Sequence, residues 1–166
     1  MAEAANEGVF RFLGSRAAAR GSELPVTSPD DPKRNYYWEA GAHPEIVARV
    51  WDQLGENLPG RSRVLVFGTP ALVHQESGVV LAFALGTEYV VRLPRRIWRE
   101  ARPAGLRTVA KWAGGAITDI EHECGEDWVF GSYATDEIAW CEEAFRDCGR
   151  SAGYAVAADD PAAGTS

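Results

Sequence analysis

Between Pro44 and Leu58 the apolar residues Ile46, Val47, Val50, Trp51, Leu54 and Leu58 recur at helical spacing. Pro44 with Glu45 beside it opens this helix, and Pro59-Gly60 closes it. The period then shortens to that of strands. Arg63 to Phe67, Ala71 to His74, Val79 to Leu85 and Glu88 to Leu93 are β-branched and aromatic runs separated by Gly68-Thr69-Pro70, Gln75-Glu76-Ser77-Gly78 and Gly86-Thr87. Such runs joined by short turns predict an antiparallel meander.

Beyond Pro94 a short basic helix is expected over Arg95 to Ala101, ended by Pro103 and Gly105. Leu106 to Trp112 then alternates, with Leu106, Thr108, Ala110 and Trp112 on one face and Arg107, Val109 and Lys111 on the other. Gly114-Gly115 suits a hairpin turn into Ala116 to Ile120. An acidic loop, Glu121 to Asp127, leads to a strand over Trp128 to Tyr133. Thr135, Asp136 and Glu137 start a last helix, which ends at Gly149 with Ile138, Cys141, Phe145 and Cys148 as its inner stripe. These elements define an α+β fold, an antiparallel meander sheet of about five or six strands flanked by an N-terminal and a C-terminal helix.

Composition sets the boundaries. Residues 1–35 and 150–166 are rich in small and turn-forming residues and read as flexible tails around a single domain over 36–149, which begins at Tyr36-Tyr37-Trp38. Within the first tail, Val9, Phe10, Phe12 and Leu13 cluster beside Arg11, Arg16 and Arg20. That cluster has two readings, a docking segment that orders on a partner or a segment packed back onto its own domain. The acidic start contains no continuous apolar stretch, and no later run approaches the ~20 residues that span a bilayer. Together with three cysteines at no disulfide spacing, this predicts a cytoplasmic protein without a membrane segment.

Charge is unevenly spread. Arg92, Arg95, Arg96, Arg99, Arg102, Arg107 and Lys111 are seven of the 17 basic residues, whereas Trp112 to Phe145 carries nine acids and no Lys or Arg. The net charge of −7 disfavours general nucleic-acid binding, because the summed field repels a polyanion. Arg107 and Lys111 lie before the expected hairpin, with Asp119 and Glu121 after it, so pairing between them across adjacent strands is expected.

Within the meander, the order Phe67-Gly68, Leu72-Val73, Gly78, Ala82-Phe83-Ala84-Leu85 and Glu88-Tyr89-Val90-Val91-Arg92-Leu93 resembles the N-terminal domain of the TfoX competence regulators and their YjbR-like relatives. There a helix precedes an FG turn, a strand, a Gly turn, an FAL strand and a YLRL-type strand. The resemblance spans about thirty residues of 166. It implies a small α+β module without a catalytic centre, used in regulation or macromolecular contact.

Three functional readings compete. His122, Glu123 and Cys124 are the best catalytic candidates, since a neighbouring imidazolium lowers a thiol pKa, but the surrounding carboxylates oppose thiolate formation. His122 and Cys124 supply two of the three or four ligands a zinc site needs, and His43 and His74 lack partner spacing, so no metal or cofactor is expected. Nucleic-acid binding would rest on Arg95, Arg96, Arg99 and Arg102. The favoured reading is a non-catalytic regulatory protein that binds another protein. Its expected contacts are Phe10, Phe12 and Leu13, the Arg95/Arg96/Arg99/Arg102 helix, and the Glu137/Glu142/Glu143 face with Trp140 as an exposed aromatic.

Overall fold

The computed structural model describes residues 2–17, 26–29, 41–111 and 117–149. Strands β1 (Val26–Thr27), β2 (Arg63–Val66), β3 (Thr69–His74), β4 (Val79–Leu85), β5 (Glu88–Arg92) and β8 (Trp128–Phe130) form one antiparallel sheet in the order β1-β2-β3-β4-β5-β8. Strands β6 (Val109–Lys111) and β7 (Ile117–Asp119) make a separate two-stranded ribbon. The fold is α+β, as the period of the apolar residues predicts.

Helices cover both faces of the six-stranded sheet. On one face lie α2 (Pro44–Ala48), which continues as a π-helical segment over Arg49–Leu54, and α4 (Asp136–Gly149). Ile46, Val50, Trp51, Leu54, Cys141 and Ala144 pack there against Leu65, Leu72, Leu81 and Val91. On the other face lie α1 (Ala2–Ala17) and α3 (Ile120–Cys124), whose Val9, Leu13, Ile120 and Cys124 meet Val66, Val80, Phe83, Val90 and Trp128. Double coverage explains why every residue of β3 and β4 is buried and why their sequences run apolar with little polar alternation. Among the described residues no helix is long and apolar enough to cross a membrane.

A bulge sets the facing of β4. Leu72 pairs with Ala82 and Val73 with Val80, so Leu81 is an extra residue and the alternation of faces resets there. Val79 and Leu81 face the α2/α4 side, and so do Ala82 and Ala84 beyond the bulge.

Residues 2–17 and 26–27 are more structured than the composition of this stretch suggests. Residues 2–17 form α1, whose Val9 and Leu13, one turn apart, are fully buried, and Val26–Thr27 adds an edge strand to β2. Burying those two side chains contributes roughly 1.5–3 kcal/mol each, enough to hold a helix that its small residues alone would not. Gly8 lets α1 approach α3, since a Cβ there would lie 2.5 Å from the Cys124 carbonyl oxygen. Tyr36-Tyr37-Trp38, Trp112, the Gly114-Gly115 turn and the stretch 150–166 lie outside the described residues.

Other boundaries also shift. The helix begun at Pro44 ends at Leu54, and the basic segment is a π-helical turn over Arg96–Glu100. Part of the expected acidic loop is α3, whose start is capped by Asp119 accepting a hydrogen bond from the His122 amide. Ribbon register places Asp119 opposite Val109 and Lys111 opposite Ile117, so the expected cross-strand pairing of Arg107 and Lys111 with Asp119 and Glu121 does not form. Arg107 instead reaches Glu88 at 2.8 Å, and Glu121 reaches Arg102 at 3.3 Å.

Candidate functional site

Strand β5 sends Tyr89 to the α2/α4 face and Arg92 to the other, as period-two alternation requires. Tyr89 is the centre of a closed polar cluster. Its hydroxyl donates to Glu137 Oε1 and accepts from Arg49 Nε at 3.2 Å and from the Tyr133 amide at 2.7 Å. Glu137, in the first turn of α4, receives the Arg49 Nη2 at 3.1 Å on Oε1. Its Oε2 accepts from the Ser132 amide at 2.7 Å and the Ser132 hydroxyl at 3.2 Å. Arg49 completes the cluster by donating to Gln53 Oε1 at 2.8 Å and to the Ala134 carbonyl at 2.9 Å. A buried ion pair is tolerable only when its remaining donors and acceptors are filled, and here both carboxylate oxygens carry two donors.

Burial pushes the Tyr89 phenol above its ordinary pKa, and the hydrogen bond to Glu137 adds to this, so the phenol stays a donor. Burial alone would lower the Arg49 pKa, but its bonds to Tyr89 and Glu137 outweigh that and raise it.

The cluster reaches solvent at Tyr133. This residue is 52% exposed and holds φ at +63°, a left-handed backbone that a bulky L-residue adopts only when its surroundings impose it. Three contacts impose it: its amide is bound by Tyr89, its ring stands edge-on to the Tyr89 ring at 5.2 Å, and the Arg49 guanidinium lies 5.0 Å from its centroid. Gly131 is obligatory beneath it, because a Cβ there would sit 1.9 Å from the Tyr89 ring. The π-helical turn that begins at Arg49 adds a second irregularity of a kind that gathers at functional sites.

The sequence-derived candidates fall elsewhere. Arg96 grips Glu143 with two bonds, at 3.0 and 2.9 Å, so these two members of the expected basic and acidic surfaces pair with each other. Arg102 pairs with Glu121, Arg99 lies over the Trp98 ring at 4.9 Å, and the Arg95 amide donates to Asp147. Glu137 is a core residue, not part of an acidic outer face. Trp140 is half-buried against Leu93, Ile97 and Val129 rather than exposed. Phe10 and Phe12 are half-buried, Phe10 edge-on to Phe67 at 5.6 Å and Phe12 tilted against Phe83 at 6.5 Å, while Leu13 points into the core.

The members of the His122, Glu123 and Cys124 group differ in exposure. His122 is exposed on α3, Glu123 is half-buried, and Cys124 is buried with its thiol pushed up to about 12, chiefly by burial. Burial raises Cys141 to about 12 and Cys148 to about 11, so all three thiols are protonated at neutral pH. Among the described residues no three His, Cys, Asp or Glu side chains gather as metal ligands.

Comparison with known proteins adds no relative: no family model, curated protein or solved structure matches this chain.

Proposed function

We propose that the chain is a non-catalytic protein-binding module whose recognition residue is Tyr133. The observation that carries this reading is a half-exposed aromatic ring fixed in a left-handed backbone by the buried Arg49, Tyr89 and Glu137 cluster. Strain of this kind costs about 1–3 kcal/mol, and Tyr is among the residues enriched where interfaces draw most of their energy. A ring already immobilised loses little side-chain entropy on binding.

Electrostatics favour Tyr133 over the arginine stretch. Arg96 and Arg102 already hold carboxylates, which removes donors that phosphates would need. The resemblance of the meander to TfoX-like modules implies a module used in regulation or macromolecular contact, which agrees with this class.

The test compares proteins recovered with the full-length chain and with Tyr133→Ala from the native host after mild cross-linking. A defined partner should be lost with Tyr133→Ala while the melting curve stays cooperative. Identical recovery from both chains would overturn the reading.

A further inference from the structure

The β6–β7 ribbon carries a surface independent of Tyr133. Directly opposed residues of an antiparallel pair share a face, as do residues two apart. The register therefore puts Val109, Lys111, Ile117 and Asp119 on one face, and Ala110 and Thr118 on the other. Burial agrees: Thr118 is buried and Ala110 packs against the α1 side of the core, whereas all four residues of the first face are exposed. Val109 is 52% and Ile117 74% exposed, two of the four large apolar side chains exposed among the described residues.

These four side chains occupy the corners of a rectangle ~5 Å across the strands and ~7 Å along them. Val109 and Ile117 lie on one diagonal, Lys111 and Asp119 on the other. We propose that this face is a self-association surface, binding a second copy of the chain about a two-fold axis along the Val109–Ile117 diagonal. Each apolar residue then meets its own copy, and Lys111 meets the opposite Asp119 twice, as an isologous contact requires. The other simple face-to-face arrangements fail. Axes parallel or perpendicular to the strands set apolar residues on charged ones, and the second diagonal sets Lys111 on Lys111 and Asp119 on Asp119.

The favoured axis crosses the two ribbons steeply, near the orthogonal class of sheet packing. Asp119 commits one carboxylate oxygen to capping α3, at 3.2 Å from the His122 amide, which fixes the position of the charge. The four-residue face is far smaller than a standard interface, so the dimer is expected to be weak and concentration-dependent.

Sedimentation equilibrium on the full chain over a dilution series tests the proposal. Wild type should self-associate, and Ile117→Asp should weaken this by about tenfold or more. Lys111→Asp alone and Asp119→Lys alone should each do the same, because each places like charges face to face. Mixing those two single variants should restore association: in the mixed pair the two substituted positions oppose each other with opposite charge, and the native Lys111 of one copy faces the native Asp119 of the other. Restoration also shows that both variants fold, even though Asp119→Lys removes the α3 cap. A wild type that stays monomeric, or single and mixed variants that associate like wild type, overturns the proposal.

Discussion

Arg49 and Arg92 are both almost wholly buried, 4% and 1% exposed, on opposite faces of the same sheet, yet they do different work. Arg49 belongs to a cluster closed on itself, in which Glu137, also buried at 2%, is its counter-charge. Arg92 instead fastens one layer to another. Its Nε donates to the Val80 carbonyl at 2.7 Å, its Nη2 to the Ala5 carbonyl at 3.1 Å, and its Nη1 to Asp127 at 2.6 Å, with the guanidinium 4.5 Å from the centroid of the Trp128 ring. Asn6 of α1 joins in, donating to the Gly78 carbonyl at 2.8 Å and accepting from the Val80 amide at 2.9 Å. The backbone beside the Leu81 bulge is thereby bound from two elements. One cluster fixes a strained residue at the surface; the other staples the first helix to the sheet.

The largest expected effect separates the two counter-ions. Glu137→Ala removes the counter-charge of the buried Arg49 guanidinium and the acceptor of the Tyr89 hydroxyl and the Ser132 donors, which should cost about 3–5 kcal/mol. Asp127→Ala should cost about 1–3 kcal/mol, because Asp127 is 15% exposed and Arg92 keeps two carbonyls and the Trp128 ring. Urea titration of both variants checks this. Equal losses would mean that the two arginines depend equally on their carboxylates.

The difference between the clusters was only partly legible in the sequence. Glu137 sits four residues before Cys141, within the apolar stripe of the last helix, so helical periodicity already placed it inward. Its neighbours Asp136, Glu142 and Glu143 drew it into an apparent acidic face instead. Arg92 reads in the sequence as one of a run of basic residues, and the partners of Tyr89 and Arg92 on α1, α2 and the 127–137 stretch are remote in sequence, so nothing local announces their burial. The β2 to β5 meander was legible because each run is bounded by its own turn residues. The first helix was not, because 16 residues of mostly small and polar character are stabilised by Val9, Leu13 and Asn6 docking on the sheet rather than by propensity.

A middle-sized effect addresses the staple. Asn6→Ala removes three side-chain bonds, to the Gly78 carbonyl, the Val80 amide and Arg92 Nη2, and leaves the buried Val80 amide without that acceptor, at a cost of about 1–3 kcal/mol. Its consequence should be local. With α1 loosened, Cys124 beneath it should become alkylated faster, while Cys141, fully buried on the inner face of α4, keeps its wild-type rate. Mass-resolved labelling of the two thiols reads this directly. Equal acceleration at both sites would show that the sheet opens as one unit and that α1 is not a separable layer.

The smallest effect probes the strain at Tyr133. Alanine and glycine both delete the ring, with its contacts to Tyr89 and Arg49, so their difference isolates the backbone. At φ +63° Ala carries the Cβ penalty and Gly does not, so Tyr133→Gly should be more stable than Tyr133→Ala by about 1 kcal/mol. In an ordinary extended or helical position the order would reverse, because glycine's extra freedom in the unfolded chain favours Ala. Thermal melts of the pair therefore report whether the Tyr89 hydroxyl and the Glu137 cluster still impose the left-handed backbone when no ring is present. If Tyr133→Ala proves the more stable, the ring itself sets the turn, and the buried cluster is a consequence of Tyr133's placement rather than its cause.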